Sequence, residues 1–154
     1  MKKLNLLLTI IIGLSILSCS SSDDHPQLSM SELLTQNSPW TFNHYEMINI
    51  IDAGNSSFAQ SDVENSINQS NSGNIVTFNE DGTGSSFLPN EGTDNWQWEI
   101  VNDNQLKLTY DSGDVEIFEN ISVSSSQLFI EIESVVFDEI AIYEVTHYGK
   151  YFYD

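Results

Sequence analysis

From Trp40 onward, hydrophobic and polar residues fall into short alternating rows. Trp96, Trp98 and Ile100 share one parity, and Gln97 and Glu99 occupy the other. Leu106, Leu108 and Tyr110 repeat the arrangement, as do Val115 with Ile117, and Leu128 with Ile130 and Ile132. Successive side chains of an extended chain point to opposite faces, so these rows predict half-buried antiparallel strands with one wet face. A slip of one residue in the tryptophan row would bury Glu99 without a partner, so Trp96 and Trp98 are expected to point inward. "WTFNHYEMINII" at 40–51 is the first long strand. Between the rows stand "EDGTG" (80–84), "NDNQ" (102–105) and "DSGD" (111–114), which supply residues that tolerate positive φ. About eight strands joined mostly by hairpins are expected. That number suits an all-β, antiparallel up-and-down barrel with a filled or single-ligand interior.

Two segments break the period of two. "SMSELLTQN" (29–37) predicts a short N-terminal helix, capped by Ser29 or Ser31, with Leu33 and Leu34 on its buried side. Residues 53–73 form a long polar connection in which Ser61 and Glu64 have capping-box spacing, so a short helix or lid is expected there.

The first residues follow another logic. Lys2 and Lys3 precede the apolar run "LNLLLTIIIGLSIL", which ends at Leu17 and is too short to span a bilayer. This is the layout of a secretory signal. Ile16-Leu17-Ser18-Cys19 resembles the lipobox of bacterial lipoproteins. The resemblance implies a signal peptide over 1–18, a diacylglyceryl group on the Cys19 sulfur and acylation of the new N-terminus. A single acyl chain binds marginally, whereas two or three anchor stably. Cys19 is the only cysteine, so no disulfide competes for it. Ser20, unlike an aspartate, does not resemble the inner-membrane retention signal of enteric bacteria. "SSSDD" (20–24) resembles the acidic export tags of surface-displayed lipoproteins in Gram-negative cells. An outer-membrane anchor is thus implied, with periplasmic or cell-surface orientation left open. Residues 19–30 read as the lipidated tether and 31–154 as one barrel domain.

Composition removes several classes of function. From Cys19 onward the chain holds two lysines, Lys107 and Lys150, no arginine and 23 acidic residues, a formal charge of −21. Nucleic-acid binding needs a basic footprint, and this field is the opposite. Phosphate-rich and sulfated ligands are disfavoured for the same reason.

"LLTQNSPWTFNHYE", then "VTFNEDGTGS", "WQWEIVNDNQLKLTY" and "SSSQLFIEI" together resemble the lipocalin-like domain of many bacterial lipoproteins. The resemblance spans roughly residues 32–146 and rests on the order of the motifs. It implies an eight-stranded barrel with an open mouth, and lipocalins proper hold small apolar molecules there. The chain departs from the animal pattern in carrying Ser38-Pro39-Trp40 in place of Gly-x-Trp, and no arginine is present to stack on Trp40.

Within such a barrel Phe78, Trp96, Trp98 and Tyr110 are the candidate ligand-binding residues, although paired aromatics on a strand also serve as plain core. Trp40 reads as the barrel floor. The tail "THYGKYFYD" concentrates Tyr148, Tyr151, Phe152 and Tyr153, a partner-contacting patch if exposed or a last strand if paired. "FNEDGTGS" lacks the spacing of a calcium loop, so no metal is expected. His25, His44 and His147 lack any G-x-S-x-G, H-E-x-x-H or thiol nucleophile, and no glycine loop would cradle a phosphate, so neither enzyme nor cofactor is expected. The expected function is non-enzymatic binding of a small apolar or amphipathic ligand by a membrane-anchored barrel. The alternative is a ligand-free envelope lipoprotein that binds a protein or glycan through its surface and aromatic tail.

Overall fold

The computed structural model describes residues 28–138 and 143–154. The expected signal peptide, Cys19 and most of the tether lie outside the described residues.

The described residues form one nine-stranded antiparallel sheet, curled into a nearly closed barrel, with two short helices. Strand order is β6-β5-β4-β3-β2-β1-β9-β8-β7. The strands are β1 (Trp40–Asp52), β2 (Ile75–Phe78), β3 (Thr83–Leu88), β4 (Gly92–Asn102), β5 (Gln105–Tyr110), β6 (Val115–Phe118), β7 (Asn120–Val123), β8 (Leu128–Asp138) and β9 (Tyr143–Tyr153). Every hairpin-linked pair is adjacent, as the turns predict, and β1 joins the two halves by pairing with both β2 and β9. Glu119 separates β6 from β7, and these two strands fall on opposite edges of the sheet.

Helix α1 (Met30–Gln36) starts at Ser29, whose hydroxyl accepts from the Glu32 N–H while the Glu32 carboxylate accepts from the Ser29 N–H. That reciprocal cap fixes the helix start. Leu34 is fully buried, and its carbonyl accepts the Trp40 indole N–H at 2.9 Å. Trp40 is buried as well, so α1 and Trp40 close one end of the barrel together.

Helix α2 (Gln60–Ser70) solves a different problem. Strand β1 pairs with β2 only through Trp40 and Thr41, so its backbone farther along has no strand on that side. Asn68 takes the place of one: its Oδ1 accepts from the Tyr45 N–H at 2.7 Å and its Nδ2 donates to the Tyr45 carbonyl. One turn earlier, Glu64 accepts from the Met47 N–H, and Gln60 donates to the Met47 carbonyl. Residues four apart share a helix face, so Gln60, Glu64 and Asn68 form one polar stripe along the open edge. Val63 and Ile67 enter the core beside it. The expected cap by Ser61 and Glu64 does not form. The helix begins two residues earlier, with Ala59 in the cap position; Asp62 accepts from the Ala59 N–H, and Glu64 is committed to β1.

One row is reversed. Val115 and Ile117 face outward, each about half exposed, and Glu116 and Phe118 face inward. The β5–β6 turn sets Leu108 opposite Glu116, and directly paired residues share a face. The buried Leu108 therefore carries Glu116 inward with it.

Candidate functional site

The barrel lumen contains a cavity of about 200 Å³. Its wall is mostly apolar, built from Phe78, Trp96, Leu106, Leu108, Phe118 and Ile130 among others. Trp96 approaches it over Gly84: a Cβ at that position would stand 1.8 Å from the indole ring. The Phe78 ring packs against Trp96 at 5.1 Å between centroids.

Among the described residues six polar side chains interrupt the wall: Asn74, Ser86, Tyr110, Glu116, Tyr151 and Tyr153. Glu116 reaches the lumen from β6, and its Oε2 accepts the Tyr110 hydroxyl at 2.8 Å. Burial first, and this bond to Glu116 second, push the Tyr110 phenol well above its ordinary range, so Tyr110 donates. Tyr153 and Asn74 also line the cavity. The Asn74 Oδ1 is buried with no hydrogen-bond partner. Burial raises the Tyr153 phenol, and the Tyr151, Tyr110 and Glu116 side chains add to that effect.

The barrel does not close along its whole height. At its base the Ile121 N–H donates to the Asn104 carbonyl, bridging β7 to the β4–β5 turn. Above that bridge β6 and β8 splay apart around a groove of about 350 Å³ lined by Glu116, Ile117, Glu119, Glu131, Ile132, Glu133 and Tyr148. Glu116 and Ile132 also line the lumen, so they form the shared wall between groove and cavity.

Of the four ligand candidates, Phe78, Trp96 and Tyr110 line the cavity. Trp98 does not. It is half-buried in the middle of the row, stacks edge-on against Phe78, and donates its indole N–H to the Thr83 carbonyl. The aromatic tail becomes β9, and the strand period divides it between two faces. Tyr151 and Tyr153 point inward to the cavity. Tyr148 and Phe152 point outward, where the Tyr148 hydroxyl donates to Glu131 and Phe152 stacks flat on His44 at 4.5 Å. Glu131 also pairs with Lys150 at 2.8 Å, and those two bonds hold its carboxyl below the usual range, Lys150 contributing most. Cys19 lies outside the described residues.

Sequence reasoning missed Glu116 and Asn74. The signal for Glu116 was present in the hairpin: once Leu108 is inside, the length of the "DSGD" turn decides which parity of "VEIF" follows it.

A second polar pair lies away from the cavity. His147 is fully buried, and its Nδ1 stands 2.7 Å from the Tyr45 hydroxyl. Its Nε2 has no partner, and burial lowers its proton affinity. Gly149 makes room for this pair, since a Cβ there would stand 2.1 Å from the Tyr45 oxygen. Neither side chain reaches the cavity wall.

No family model matches the sequence, and no curated protein is similar to it.

Proposed function

We propose that this chain is a lipid-anchored, non-enzymatic binding protein. Acyl chains on Cys19 hold it at the outer membrane, and the barrel lumen receives one small amphipathic ligand. The cavity carries the reading: an aromatic and aliphatic wall with a few convergent polar groups is the usual make-up of a small-molecule site. Its size bounds the ligand. At about 200 Å³ it falls below the roughly 300 Å³ where sites for drug-sized molecules begin. It exceeds the roughly 150 Å³ that encloses a benzene. One ring with a short arm, or a short chain, fits that interval.

Native mass spectrometry of protein purified from its own host tests ligand binding: a retained small molecule supports the reading, and a mass matching the bare chain counts against it. The anchor is tested separately. Cys19→Ser protein should lose lipid labelling and signal-peptidase processing at that position, and it should leave the outer-membrane fraction. Retention of label and fractionation in the variant would sink the anchor.

A second reading has one observation in its favour. Val115 and Ile117 on β6, and Val135 and Phe137 on β8, present apolar side chains about half exposed on the strands that flank the groove. Scattered exposed apolar residues are ordinary on monomers, but a cluster marks contact surfaces. In this reading an envelope protein binds those strands rather than the tail. Paired Ile117→Ser and Phe137→Ser substitutions should then abolish co-purification of that partner without changing ligand retention.

A further inference from the structure

Resting on the lumen reading above, we infer that the ligand is a small organic cation: an ammonium group joined to a body no larger than one ring and a short arm. Among the described residues Glu116 is the only carboxylate on the cavity wall, and no cationic side chain balances it there. Lys107 is paired with Glu99 and Lys150 with Glu131, both away from the cavity wall. Tyr110 occupies one Glu116 oxygen, while Oε1 forms no hydrogen bond among the described residues. The Asn74 Oδ1 is a second acceptor without a donor. Tyr153, 6% exposed, also presents its side chain to the cavity. A site rich in unmet acceptors and poor in charged donors selects a ligand that donates.

The apolar part of the wall favours the same class. Phe78, Trp96, Tyr151 and Tyr153 present aromatic rings to the lumen, and aromatic faces attract organic cations. A bare metal ion fits poorly, because hard cations take six or more oxygen ligands, and among the described residues no cluster of three His, Cys, Asp or Glu exists to hold one. Carboxylates and phosphates meet Glu116 head-on. The route inward agrees: the β6–β8 groove adds Glu119, Glu131 and Glu133 to Glu116 at the lumen's edge. A cleft lined by one sign of charge concentrates ligands of the other sign and speeds their association.

Three probes share a phenyl ring and a two-carbon arm and differ at the head: 2-phenylethylamine, 2-phenylethanol and 3-phenylpropionate. Titrated calorimetrically into the full-length chain, the amine should bind at least about tenfold tighter than the alcohol, with the propionate weakest. Glu116→Gln keeps an acceptor for Tyr110, and it should erase the amine's advantage over the alcohol. The ranking on the unaltered chain stands whether or not the variant folds. Equal affinities, or a preference for the propionate, would overturn the cation assignment and leave the lumen reading standing. An amine advantage that survives a folded Glu116→Gln would overturn Glu116 as the counter-charge. Absence of binding by all three at millimolar concentration would overturn the lumen reading, and the cation with it.

Discussion

Trp96 and Trp98 are two residues apart in one row, yet their surroundings make them unequal. Trp96 is 2% exposed, lies over Gly84 and touches Phe78, whereas Trp98 is only half-buried. Truncating a buried tryptophan costs about 3–5 kcal/mol. Trp96→Ala should lose that much in urea denaturation and Trp98→Ala distinctly less; equal losses would contradict the placement of Trp98. His147 carries a prediction of a different kind. Its folded-state proton affinity is lowered because burial disfavours the imidazolium. Above the unfolded value of about 6.5 both states are neutral and the stability is fully present. As pH falls below 6.5 the unfolded chain takes up a proton that the folded chain refuses, so stability drops toward the lower folded value. Among the described residues the titratable groups around it are the neutral phenols of Tyr45, in contact, and Tyr151, beyond that ring, with Glu64 facing Tyr45 from α2. Between pH 7.5 and 5.5 the urea midpoint of the unaltered chain should fall more than that of His147→Gln, and parallel curves would refute it. The indole row was legible because Gln97 and Glu99 contrast sharply with their neighbours. "VEIF" was not, since Val115 with Ile117 and Glu116 with Phe118 alternate equally well, and only the turn decides between them.

The two helices use the same local spacing to different ends. A serine precedes a glutamate by three residues in both, at Ser29–Glu32 and at Ser61–Glu64. The first closes a capping box, which made α1 readable from the sequence alone. In the second, Glu64 is drawn to the Met47 N–H, a partner seventeen residues away that no local rule reveals. The polar stripe of α2 follows from what β1 lacks, so it becomes visible only once the sheet is assembled. A row of free N–H and C=O groups on a strand edge is costly when buried and invites pairing with other chains. Asn68 supplies both a donor and an acceptor to Tyr45, whose side chain is buried. Asn68→Ala leaves both backbone groups without partners, and it should cost about 1–3 kcal/mol by chemical denaturation. Asn68→Asp should fare no better, because a carboxylate would face the Tyr45 carbonyl. A variant as stable as the parent would mean that water replaces the helix at this edge.

At the scale of the barrel, hairpin turns determine who neighbours whom, and they were readable. Closure was not. The β1–β9 pairing joins residues more than a hundred positions apart, and the opening falls between β6 and β7, which are consecutive in sequence. Glu119 separates those two strands, and the chain crosses the gap there instead of extending one long strand. The consequence is an uneven barrel. Strand β9 is paired on both sides, with β1 and β8, whereas β6 has four residues paired to β5 and an acidic groove on its other side. Glu116 and Glu119 face Glu131 and Glu133 across that groove, and Lys150 neutralises Glu131 alone. Like charges so arranged push the edges apart, and salt relaxes the push: the Debye length shrinks from about 30 Å at 0.01 M to about 8 Å at 0.15 M. Hydrogen exchange followed by mass spectrometry should therefore find the amides of Val115–Phe118 opening far more readily than those of Tyr143–Tyr153. Raising the salt across that range should slow exchange in β6 while leaving β9 nearly unchanged. Equal protection of the two strands would show that β6 is held as firmly as the interior of the sheet, and the groove would then be a fixed furrow rather than a seam that opens.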